Sequence, residues 1–140
     1  TTLRTKKRPV MYDHPGHRPS RKTVANILVV DNVDLLLQAQ CDILEMEGHT
    51  VFAAADGLEG WAVLQQHPVD LVVSSYSSSD LNGLVLLQRM RADPRYVTLP
   101  VLITSAIEKE RLRVHGANGF VQKPFDPQDY VEKVNGLLKP

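Results

Sequence analysis

At 140 residues and 43% hydrophobic content, the chain is long enough to bury one ordinary core and short enough to make a single domain the expectation. Its one cysteine, Cys41, excludes an internal disulfide and a zinc cluster of paired cysteines, and no apolar run approaches the roughly 18 residues of a bilayer-spanning helix. A reducing, cytoplasmic setting is expected, with no membrane partner and no secretory signal pattern near the start.

The formal net charge of zero divides unevenly, because residues 1–24 hold seven Lys/Arg against one acid, leaving nine against fifteen over 25–140. The first segment also carries Pro9, Pro15, Gly16 and Pro19 with few large apolar residues, so burial cannot offset its ordering entropy. It reads as a flexible basic arm or linker ahead of a domain at 25–140. Lys6-Lys7-Arg8 and Arg21-Lys22 come with no recognition helix or stacking aromatics, so nucleic-acid binding is not expected. His14 and His17 have no third ligand beside them and read as solvated.

In chain order, Ile27–Val30 predicts a first strand, a stripe of Leu36, Ala39, Ile43 and Met46 a first helix, and Gly48 its stop. Cys41, among Leu37 and Leu44, reads as a small buried apolar residue. A short strand at Val51–Ala54 follows, then a helix striped by Leu58, Ala62 and Gln65 beside Trp61. Leu71–Val73 predicts a third strand and Leu84, Leu87 and Met90 a third helix. Val101–Ile103 and Phe120–Val121 predict the last strands. Between them, Ala106 to Gly116 reads as a short, charged, largely solvated helix, and Asp126-Pro127 caps a final helix striped by Tyr130, Val134 and Leu137. Continuous aliphatic runs are the mark of parallel strands buried on both faces. The expected fold is therefore a doubly wound α/β sheet with its functional crevice at the carboxyl ends of the strands.

Those ends carry Asp31-Asn32, Ser74-Ser75, Thr104-Ser105-Ala106 and Lys123-Pro124-Phe125. Together with Asp56-Gly57, Asp80-Leu81-Asn82-Gly83 and Gly116-Ala117, these motifs resemble, in order and spacing, the receiver domain of two-component response regulators. The resemblance covers about residues 25 to 139. It implies the flavodoxin-like (βα)5 fold with strand order 2-1-3-4-5. It also implies a site where an acidic pair and a strand-three aspartate hold Mg²⁺ and the aspartate takes phosphate from a histidine kinase.

Carried over residue by residue, the resemblance exposes departures. Asp31 matches the first acid, Asn32 stands in place of the second, and Ser75 stands at the phosphoacceptor position. One of three carboxylates is left for a hard cation that prefers anionic oxygen, so Mg²⁺ binding is expected to be weak or absent and no cofactor is expected. A serine hydroxyl also needs a base where a carboxylate does not. The loop acids Asp34 and Asp80 read as solvated. Ser79 replaces the family's usual proline in a serine-rich loop that includes Ser77 and Ser78. Ser105 keeps the family's phosphate-facing hydroxyl, Lys123 keeps its ammonium and is expected to turn to Asp31, and Phe120 stands at the switch aromatic. The segment from Ser105 to Gly116 is shorter than the family's by about one helical turn.

The expected function is thus an atypical receiver in phosphorelay signalling that acts by protein contact without aspartyl phosphorylation, and not an enzyme. Its partner would be a histidine kinase, another regulator, an attached output domain or a second copy. Phosphorylation of Ser75 or a neighbouring serine by a Ser/Thr kinase is the alternative, since it would set charge beside Lys123. A Ser75–Lys123 hydrolase pair is the remote one.

Overall fold

The computed structural model describes residues 4–6, 24–76, 82–106 and 116–139. Five parallel strands form the sheet: β2 (Asn26–Val30), β3 (Thr50–Ala54), β4 (Leu71–Ser75), β5 (Val101–Ser105) and β6 (Gly119–Gln122). Their spatial order is β3-β2-β4-β5-β6, which is 2-1-3-4-5 when counted from Asn26, the flavodoxin-like arrangement. A three-residue strand, β1 (Arg4–Lys6), pairs antiparallel with β3 at the outer edge, Thr5 opposite Phe52. The remainder of the expected arm, with His14 and His17, lies outside the described residues. So do Ser77 to Leu81 of the serine-rich loop and residues 107–115 of the short helix.

The strands are apolar throughout because both faces are covered. One face packs Ile27, Val29, Val51, Val73 and Leu102 under Leu37, Cys41 and Leu44 of α1 (Asp34–Met46) and Tyr130 and Val134 of α4 (Pro127–Leu138). The other packs Leu28, Val30, Val72 and Ile103 under Val63 and Leu64 of α2 (Gly57–Gln66) and Leu86, Leu87 and Met90 of α3 (Asn82–Arg91). Cys41 is buried, as its neighbours predict.

Two helical stripes differ from the expected ones. In α1 the buried residues are Leu37, Gln40, Cys41, Leu44 and Glu45, while Leu36 and Met46 are exposed. In α2 they are Gly57, Gly60, Val63 and Leu64, with Leu58 exposed. Both helices are rotated relative to the purely apolar pattern. In α2, glycine lets the helix approach the sheet: a Cβ on Gly60 would stand 3.1 Å from Val30 and 3.2 Å from Leu86. In α1, two polar side chains occupy core positions that a hydrophobicity count skips.

The helix ends follow from side-chain chemistry. Asp56 accepts the Glu59 N–H at 2.9 Å, which satisfies one orphan donor of α2, while Glu59 accepts the Ala55 N–H at 2.8 Å and so ties down the residue before the cap. Asp126 accepts the Gln128 N–H at 3.0 Å, and Gly48, with φ of 96°, takes the left-handed turn that ends α1. No helix among the described residues is long and apolar enough to cross a membrane.

Candidate functional site

The strand order brings the carboxyl ends of β2 and β4 side by side, with β6 beyond β5. Asp31 follows β2 directly and Ser75 is the last residue of β4. Lys123 follows β6, its N–H bonded to the Ser105 carbonyl at 2.7 Å, which fixes the root of its side chain beside β5. From there the ammonium reaches Ser75 Oγ at 2.8 Å and Asp31 Oδ2 at 3.1 Å.

Asp31 is buried, its side chain having no exposed surface. A buried carboxylate needs donors, and it has three: Val33 N–H at 3.0 Å on Oδ1, with Gln40 Nε2 at 3.0 Å and Lys123 Nζ at 3.1 Å on Oδ2. The first of these also ties down the residue preceding α1. Gln40 Nε2 donates in addition to the Leu36 carbonyl at 3.0 Å, and its Oε1 accepts the Tyr130 hydroxyl at 3.0 Å. Tyr130 is fully buried and stacked on Phe125, ring centroids 4.6 Å apart. Burial, with smaller contributions from Cys41 and Asp31, pushes its phenol well above the ordinary tyrosine range, so it is a donor at physiological pH.

The end of β4 is held from the other side by Gly83, near the start of α3. A Cβ there would collide with the Ser75 carbonyl oxygen and stand 2.9 Å from Ser74 Oγ, so only glycine lets α3 come this close.

Of the residues singled out from the sequence, direct bonds bring together Asp31, Ser75 and Lys123, and Lys123 does turn to Asp31. Ser105 is buried next to them and joined to Lys123 through its carbonyl. Asn32 has an exposed side chain. Phe120 is half-buried against the core under α2 and α3, on β6, with β5 between it and β4. Asp34 is exposed at the start of α1, and Asp80 lies outside the described residues. Gln40 and Tyr130 were not foreseen as site residues. The signal was a glutamine at a core phase of α1, where a buried amide requires partners.

Chemically the cluster is a donor-rich pocket closed on itself. The Lys123 ammonium, engaged by the Asp31 carboxylate, donates to the serine and has no lone pair with which to take the Ser75 proton. Among the described residues no group of three or more His, Cys, Asp or Glu side chains is arranged to hold a metal ion.

Comparison with known proteins agrees with the fold. Residues 27–135 match the family described as the response regulator receiver domain. Response regulator GtcR of Aneurinibacillus migulanus is 30% identical over 117 residues, covering 81% of this chain but 47% of that protein. The chain thus spans about half the length of the first curated relatives it matches. Protein PilH of Pseudomonas aeruginosa is 28% identical, with 82% of this chain and 98% of that protein covered. The solved structure of chemotaxis response regulator CheY4 of Vibrio cholerae superposes with a TM-score of 0.75 at 26% identity, covering 83% of this chain and 100% of the other.

Proposed function

The chain belongs to the response regulator receiver family, and on that premise we propose that it is an atypical receiver of two-component signalling that works by protein contact, without aspartyl phosphorylation. The observation that carries this reading is the side chain presented at the end of β4. Ser75 Oγ, a neutral hydroxyl, accepts from Lys123 at 2.8 Å where the family's carboxylate nucleophile is expected. A carboxylate is an anion at neutral pH and needs no base to act as nucleophile, whereas a serine does, and the cation beside it supplies none.

The donor set does not fit the divalent cation of the family. Asp31 gives both oxygens to donors of this chain, Asn32 is neutral, and Ser75 is neutral and faces an ammonium. Mg²⁺ sheds its water reluctantly and requires anionic oxygen to replace it.

The partner class that fits is another signalling protein: a histidine kinase, a further regulator, an output domain on the same chain, or a second copy. The mode of action is binding, not catalysis. The Lys123–Ser75 contact favours one other reading, phosphorylation of Ser75 by a Ser/Thr kinase, since a phosphoserine there would meet a cation. Half-burial of Ser75 at a strand end opposes it, and mass spectrometry of the protein isolated from its own cells decides it by the mass of the peptide carrying residue 75.

The deciding experiment for the main reading is a two-dimensional NMR titration with Mg²⁺ and then beryllofluoride, run on the wild type and on Ser75→Asp. The expected outcome is no shift near Asp31, Ser75 and Lys123 in the wild type and a gain of shifts in the variant. Saturable shifts in the wild type would mean that a metal and phosphoryl site persists.

A further inference from the structure

We propose that Gln40 and Tyr130 are positioning residues of the pocket, holding Asp31 against Lys123 and making the seating of α4 part of the pocket's geometry. This deepens the reading above and rests on it, because a pocket that takes no phosphoryl group needs another means of fixing its state.

Hydrogen-bond polarity fixes how the chain of contacts must run. The Asp31 carboxylate and the Leu36 carbonyl are acceptors only, so the Gln40 amide must turn Nε2 toward both, at 3.0 Å each. That leaves Oε1 facing α4, where it accepts the Tyr130 hydroxyl at 3.0 Å. On the far side Lys123 donates to Asp31 and Ser75. The donors from α1 and β6 converge on one carboxylate, and Tyr130 orients the amide that reaches it. Gln40, Tyr130 and Asp31 are all 1% exposed or less, so water does not compete for these bonds.

The contacts join distant parts of the chain: Tyr130 and Gln40 are 90 residues apart, Lys123 and Asp31 are 92, and Lys123 and Ser75 are 48. One polar path therefore connects α4, α1 and the ends of β2, β4 and β6. Moving α4 enough to withdraw the Tyr130 hydroxyl leaves the Gln40 amide held at the Leu36 carbonyl and Asp31 alone, and loosens the donor that shares Asp31 Oδ2 with Lys123. A partner that displaces α4 is thereby felt at Ser75, and the direction reverses for a partner that contacts the pocket.

The test reads the Lys123 ammonium by NMR of the full chain made with isotope-labelled lysine, in wild type, Tyr130→Phe and Val134→Ala. Tyr130→Phe removes one hydroxyl and keeps the ring, while Val134→Ala damages the core face of the same helix without touching the polar path. The expected result is that the Lys123 Nζ signal shifts and broadens in Tyr130→Phe, is unchanged in Val134→Ala, and that the Tyr130→Phe effect disappears in a Gln40→Met background. An unmoved Nζ signal in Tyr130→Phe, or equal movement in both single variants, overturns the proposal. The wild type alone supplies a second arm that needs no variant to fold: the Tyr130 hydroxyl proton should be in slow exchange and show cross-peaks to the Gln40 amide, and its absence is equally fatal. Failure of the underlying reading looks different, namely saturable beryllofluoride shifts in a wild type whose Tyr130 and Gln40 signals are intact.

Discussion

Lys123 and Asp31 form an ion pair at 3.1 Å in which the carboxylate is wholly buried and the lysine side chain is only 13% exposed. At such a site the desolvation of each charge is nearly complete, so removing one partner costs more than the pair contributes. Lys123→Met should lower stability by about 3 kcal/mol, whereas the double variant Asp31→Asn/Lys123→Met should recover a good part of that loss. Urea denaturation of the four forms checks it. A single variant no less stable than the double would show that Asp31 does not need its cation.

Gly83 sets how closely α3 may approach the end of β4. Gly83→Ala should destabilise by about 1–3 kcal/mol, because the obstacle is the Ser75 backbone carbonyl, which cannot rotate away as a side-chain tip can. Thermal denaturation measures the loss, and amide shifts of Ser74 to Tyr76 should change alongside it. An alanine variant as stable as the wild type contradicts the contact.

Arg91 closes the loop that follows α3 onto the start of β6. Its guanidinium donates to the Gly116 carbonyl at 2.9 Å, the Tyr96 carbonyl at 3.0 Å and Asn118 Oδ1 at 2.9 Å, and Asn118 Oδ1 in turn accepts the Val101 N–H at 2.9 Å. Arg91→Met keeps the aliphatic stem and removes three donors, so a loss of about 2 kcal/mol is expected. Hydrogen exchange at Val101 and Asn118 should speed up well before that of Val29 or Val73. Uniform acceleration across the sheet would instead indicate a global effect.

The buried phenol of Tyr130 predicts an alkaline limit to stability. Its folded value is raised, chiefly by burial, above the ordinary one of about 10. Between the two, the unfolded chain has released the proton that the folded chain keeps. Stability is thus complete below about pH 10 and declines above it by about 1.4 kcal/mol per pH unit, until the folded phenol itself ionises. The urea midpoint of the wild type should fall more steeply above pH ~10 than that of Tyr130→Phe. Parallel slopes would remove Tyr130 from the account.

The sheet was legible in the sequence because parallel strands buried on both faces read as unbroken aliphatic runs, and each of the five expected strands is present within two residues of its expected ends. The capping residues Asp126 and Gly48 were equally readable, being local chemistry. The orientation of α1 and α2 was not. Leu36, Met46 and Leu58 look like core and face solvent, since helix rotation is decided by what must be accommodated below. In α1 that is the Gln40 amide, in α2 the close approach at Gly60. The contacts among Asp31, Ser75 and Lys123, at the carboxyl ends of β2, β4 and β6, are those that the family resemblance implies. In the sequence Tyr130 looks like one more apolar position of a stripe, because its partner lies 90 residues away and no local pattern records it.

The separation of 92 positions between Asp31 and Lys123 also has a meaning in time. At roughly 5–20 residues per second of ribosomal synthesis, Asp31 leaves the ribosome roughly 5–18 s before its cation. During that interval its carboxylate is without the ammonium that it meets in the folded chain. The pocket is therefore a structure that the nascent chain lacks until Lys123 is made, and a product truncated after Gln122 would carry all five parallel strands without it.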